Sequence, residues 1–209
     1  THHRTGWHAD YPTARYFTGL GQSSKSANAA YKAARTAVIE QLSTHIQSVC
    51  VDKQHTIIRA ETQAYASSTL CRTVAKTQYS HANMIKAVPR LGAYQNGVYY
   101  AFAVLNRNDA AHSARQARAA AERSTKMLLA QATHALANKT LTGRLLYDLR
   151  KAFSRYQATT VALTAFRPNS NNGGEIVDQF NRLQEAVRSA FRRPTIALRL
   201  SDPAEITAL

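Results

Sequence analysis

The chain has 209 residues, 44% of them hydrophobic, with 27 Lys and Arg against 12 Asp and Glu and a formal net charge of +15. That length and apolar content place it among globular proteins with a buried core, in one generous domain or two small ones. No run approaches the roughly 18 apolar residues of a membrane-spanning helix, and two cysteines are too few for a disulfide scaffold.

Residues 1–13 are polar and turn-like, with Trp7, Tyr11 and Pro12 as anchors. His2, His3 and His8 read as tag or solvent-exposed histidines rather than metal ligands, because no carboxylate supports them. With threonine first, the chain reads as a trimmed product. Residues 15–20 predict a strand. Gly19, Gly21 and the following serines then supply a turn, and Ser23 or Ser24 caps a helix. That helix is expected over residues 25–49, where Ala27, Ala30, Tyr31, Ala34, Val38, Leu42, Ile46 and Val49 recur every three or four positions.

The run "GLGQSSKS" invites a phosphate-binding reading, since glycine lets backbone amides approach an anion at a helix start and Lys25 adds charge. A P-loop needs glycine directly before the Lys-Ser pair, where this chain has Ser24, and no ribose-binding βαβ continuation follows. The run is therefore expected to be a structural corner.

Residues 51–105 are β-rich in "HTIIRAE", "NMIKAVPRLGAY" and "VYYAFAVL", with Asn96-Gly97 placed as a hairpin turn and Val98, Tyr100, Phe102 and Val104 alternating onto one face. The intervening "QAYASSTLCRTVAKTQYS" has no decisive period and reads as mixed loop, short helix or strand. Three helices are expected from Asn108 to about Ala190, broken near residues 140–143 and at "RPNSNNGG". Their stripes are Ala114, Ala117, Ala121, Leu128, Ala132 and Ala135; then Leu145, Leu149, Ala152, Tyr156, Leu163 and Phe166; then Ile176, Phe180, Leu183, Val187 and Ala190. Pro194 ends the last helix, and "TIALRL" reads as a further strand before an acidic tail with Asp202 and Glu205.

The acids are dispersed, and neither a carboxylate dyad nor a Gly-x-Ser-x-Gly elbow is present, so no catalytic residue, cofactor, metal site or small-molecule substrate is expected. Cys50 and Cys71 are either disulfide-bonded or two buried free thiols. Arg115, Arg118 and Lys126 share a helix face interrupted by Glu122; Arg144, Lys151 and Arg155 share another interrupted by Asp148; Arg182, Glu185 and Arg192 repeat the arrangement. Acids at that spacing pair along a helix, as on a solvated face, but the same residues are the candidates for docking an acidic partner.

The combination "YPTARYFTGLGQSSKSANAAYKAARTAVIEQLSTHIQSV" with the later "NGVYYAFAVLNR" resembles the Lpp-twenty lipoproteins and the N-terminal domain of the flagellar-assembly protein FlgT. The resemblance runs from about Trp7 to Arg107. Its marks are Trp7, Tyr16 with Gly19 and Gly21, an alanine-rich helix, and a strand from Gly97 with Tyr99 and Tyr100 to Leu105 and Arg107. It implies an α+β module, a long helix against an antiparallel sheet, exported to the bacterial periplasm, often lipid-anchored, with no catalytic residues. The sequence shows no lipobox cysteine, so outer-membrane association would need an anchor on a segment missing from this chain.

The expected organisation is an α+β module over residues 1–107, an antiparallel helical extension over 108–194, and a terminal strand and tail over 195–209 that leads onward. The expected function is non-enzymatic: assembly or anchoring of an envelope or surface structure through contacts with an acidic protein or envelope polymer, in the periplasm or on the periplasmic face of the outer membrane. The alternative is a basic module binding nucleic acid or another acidic polymer, although no recognised nucleic-acid motif is present.

Overall fold

The structure, a computed structural model, describes residues 10–58, 67–87, 94–167 and 174–191, without the side chains of 53–58. The predicted anchors and histidines before residue 10, and Arg192, Pro194, the "TIALRL" strand, Asp202 and Glu205, lie outside the described residues.

The fold is α+β. In chain order it runs β1 (Tyr16–Ser23), α1 (Ala27–Ile58), α2 (Ser68–Tyr79), β2 (Ile85–Ala87), β3 (Tyr94–Gln95), β4 (Val98–Asn106), α3 (Arg107–Ala137), α4 (Gly143–Phe166) and α5 (Gly174–Phe191). The sheet is antiparallel with β4 between β1 and β2, and β3 pairs with the start of β4. Asn96 and Gly97 both take positive φ, as the two-residue turn between β3 and β4 requires.

Along α1 the buried side chains follow a four-residue step: Ala30, Ala34, Val38, Leu42, Ile46 and Cys50. Each fully buried leucine or isoleucine on this stripe contributes about 1.5–3 kcal/mol relative to exposure. The alanines at its start let α1 lie close on the sheet. Phe17, Gly19 and Gly21 of β1 stand opposite Leu105, Ala103 and Ala101 of β4, and all six are buried. This corrects the expectation of a turn at the glycines. Both lie inside β1, and a Cβ at Gly21 would overlap the Ala30 carbonyl oxygen and the Ala34 amide nitrogen, while one at Gly19 would overlap the Ala34 carbonyl oxygen and come within 2.9 Å of Val38 Cγ2. Glycine is required here by closeness of backbones rather than by a bend. The cap also moves, from Ser23 or Ser24 to Ser26, whose hydroxyl accepts from Ala29 N at 3.1 Å.

One further reading is revised, and one left open is resolved. The "HTII" of the expected strand forms the last turn of α1. The segment without a decisive period contains α2, capped by Ser67, which accepts from Leu70 N at 3.2 Å, and burying Cys71, Ala75 and Tyr79. β4 is buried on both faces from Ala101 to Leu105, because its small Ala101 and Ala103 face α1 and escape a count of large alternating side chains.

α4 joins the two halves of the molecule. Its Leu149, Phe153 and Tyr156 pack with Ala121, Leu129, Ile176, Phe180 and Leu183 in one core. Ala158, Val161 and Ala162, two turns on, belong to the core around Phe17, Val38 and Ile46. β4 passes directly into α3, with Asn106 as cap. The expected division at 107/108 falls at the junction of β4 and α3, and α4 contributes to both cores.

Candidate interaction surface on the α3–α4 hairpin

α3 and α4 form an antiparallel hairpin whose turn closes without glycine. Lys139 takes a left-handed conformation at φ 57°, Thr140 N donates to Ala135 O at 2.8 Å and Lys139 N to Leu136 O at 3.2 Å, which is the paired closure of a Schellman end. Thr142 then caps α4, accepting from Leu145 N at 3.3 Å. The buried stripe of α3 is Ala110, Ala111, Ala114, Ala121, Thr125, Leu129 and Ala132. Leu129 rather than Leu128 is buried, and Ala117 and Ala135 stand half-exposed.

The six predicted basic residues separate into two groups. Glu122 collects Lys126 at 3.0 Å and Arg118 at 4.0 Å, and Arg144 pairs with Asp148 at 3.0 Å. Arg118 is also packed inward, its guanidinium 5.9 Å from the Tyr156 ring centre. The ion pair with Glu122 raises the Lys126 ammonium pKa. Arg115, Lys151 and Arg155 are exposed and form no salt bridge among the described residues. Lys151 and Arg155 lie one turn apart on the outer side of α4, away from Leu149 and Phe153. Of the six, the cations left unpaired are thus Lys151 and Arg155, with Arg115 further along the hairpin on α3.

The cysteines sit elsewhere. Cys50, the last step of the α1 stripe, and Cys71 of α2 are joined by a disulfide with their Cα atoms 6.6 Å apart, both 1% exposed. The bridge continues a set of α1–α2 ties. Glu40 accepts from Arg72 at 2.9 Å and from Lys76, and these two cations hold its carboxyl below the usual range, Lys76 contributing most. Arg35 donates to the carbonyls of Ser80 at 3.1 Å and Ala82 at 3.0 Å. Tyr79, whose phenol is pushed up by burial, donates to Ala110 O at 2.8 Å and so ties α2 to α3. Apart from the disulfide, none of these partners was visible from sequence spacing, since each hydrogen-bonded pair is separated by 31 to 47 residues.

The glycine run offers no phosphate cradle. Gly19 and Gly21 are paired in the ladder with Ala103 and Ala101, and Lys25 N donates to Ser23 Oγ at 3.1 Å. Arg107, the last residue of the family-like strand pattern, stacks 4.0 Å from the Phe17 ring centre and donates through Nε to Thr13 O at 2.9 Å. It clamps the segment before β1 to the start of α3. Among the described residues no group of three or more His, Cys, Asp or Glu side chains is placed to hold a metal ion, and no helix is long and apolar enough to cross a membrane. Comparison of the chain with protein-family models, with curated proteins and with solved structures found no match.

Proposed function

We propose that the chain is a non-enzymatic protein of the bacterial envelope, in the periplasm or on the periplasmic face of the outer membrane, that assembles or anchors a surface structure through protein–protein contacts. The observation that carries this reading is the Cys50–Cys71 bridge inside the core. Disulfides persist in oxidising compartments, and the periplasm is one. The outward Lys151 and Arg155, with Arg115, supply positive charge not taken up by neighbouring acids, which suits an acidic protein or envelope polymer. The resemblance to the Lpp-twenty and FlgT N-terminal modules points the same way, as its implied long helix against an antiparallel sheet agrees with the α+β fold.

A second reading, a module for nucleic acid or another acidic polymer, is favoured by the net charge of +15 alone. Cell fractionation with thiol trapping separates the two. The open reading frame that contains this chain, expressed in a Gram-negative host, is expected in the periplasmic or outer-membrane fraction with Cys50 and Cys71 protected from alkylation until reduced. Recovery from the cytoplasm with two reactive thiols would overturn the envelope reading.

A further inference from the structure

We propose that the cleft between α4 and α5 binds an anionic amphiphile, a fatty-acid carboxylate with its alkyl chain on the cleft floor. α5 packs on α3 and meets α4 where Phe153 and Phe180 stack with ring centres 3.9 Å apart. Towards the start of α4 and the end of α5 a cavity of about 330 Å³ opens between the two helices, at the lower end of the ~300–1,000 Å³ typical of small-molecule sites.

The floor of this cleft is Leu149, Phe180 and Leu183, and Tyr147, 62% exposed, stands on its wall. Those three floor side chains are themselves buried, so the surface an alkyl chain removes from water is its own and that of Tyr147 with the half-buried Leu146 and Val187 along the cleft. The cations Arg150 of α4 and Arg188 of α5 line the same cleft, one from each helix, and both are exposed. Arg150 forms no salt bridge among the described residues; Arg188 has a long one, 3.7 Å, to Glu185. Two guanidinium groups beside an apolar floor select a carboxylate head over a neutral or cationic one, because guanidinium donors match carboxylate oxygens bidentately. The small volume selects one alkyl chain over a diacyl lipid. This site is distinct from the Lys151 and Arg155 surface and does not depend on the envelope reading.

The test is calorimetric titration of the full chain with dodecanoate below its micelle concentration, beside octanoate and dodecyltrimethylammonium. One saturable site per chain is expected, tightening roughly three- to fourfold per added methylene, with the ammonium amphiphile at least tenfold weaker. The double variant Arg150→Glu, Arg188→Glu should lose at least tenfold in dodecanoate affinity while keeping its melting temperature, both side chains being exposed. A spin-labelled fatty acid should broaden the methyl resonances of Leu149 and Leu183. Absence of saturable binding, equal affinity for the ammonium amphiphile, or unchanged affinity in the double variant would overturn the proposal.

Discussion

At Gly21 the backbone of α1 occupies the space that a β-carbon would need, with the Ala30 carbonyl oxygen and the Ala34 amide nitrogen both in the way. Gly21→Ala should therefore force strand and helix apart and lower stability by about 1–3 kcal/mol or more. Urea unfolding measures this; an unchanged midpoint would contradict the close approach of β1 and α1. Glu40 makes a second prediction at this scale. Arg72 and Lys76 lower its carboxyl pKa in the folded chain. Its contribution is therefore present above the ordinary carboxylate pKa of about 4.3 and is lost as pH falls through the lower folded value. In Glu40→Gln the decline of melting temperature between about pH 6 and about pH 3 should be shallower than in the parent; identical slopes would remove Glu40 from the account. The sequence displayed the Gly-x-Gly run plainly but concealed its reason, because glycine marks a turn and a close backbone approach with the same letter. Glu40 gave no signal at all, as its partners lie 32 and 36 positions away.

The elements were legible where their period was long. The α1 stripe from Ala30 to Ile46 was read position by position, and the Asn96-Gly97 hairpin by its dipeptide, since positive φ at two successive residues has few sequence solutions. α2 was left open among loop, short helix and strand because twelve residues hold only three buried positions, Cys71, Ala75 and Tyr79, too few for a period to show. The bend between α3 and α4 was placed close to its true position, yet Lys139, not a glycine, takes the left-handed conformation that ends α3. α1 and α2 are held by the Cys50–Cys71 bridge, across a sequence separation of 21. Closing a loop of that size constrains the unfolded chain by about 3 kcal/mol in the chain-entropy account. Reduction, or Cys50→Ala with Cys71→Ala, should lower the unfolding free energy by roughly that amount. Denaturant titrations with and without reductant report it, and coincident curves would contradict a bridge that restrains the fold.

Among the described residues α4 serves two cores: Ala158, Val161 and Ala162, beyond the boundary expected at residue 107, pack beside α1, while Leu149, Phe153 and Tyr156 pack with side chains of α3 and α5. Paired acids spaced one turn from basic residues were visible in the sequence, and they sorted the cations: Arg118 and Lys126 turn to Glu122, Arg144 to Asp148, while Lys151 and Arg155 point outward. We propose that this outward pair faces an acidic component of the envelope. Site-specific photo-cross-linking from positions 151 and 155, in intact Gram-negative cells expressing the open reading frame that contains this chain, is the decisive measurement. Adducts with an envelope protein or polymer are expected from both positions, diminished when the neighbouring cation is changed to Glu. Adducts with nucleic acid alone, or none at either position, would contradict it.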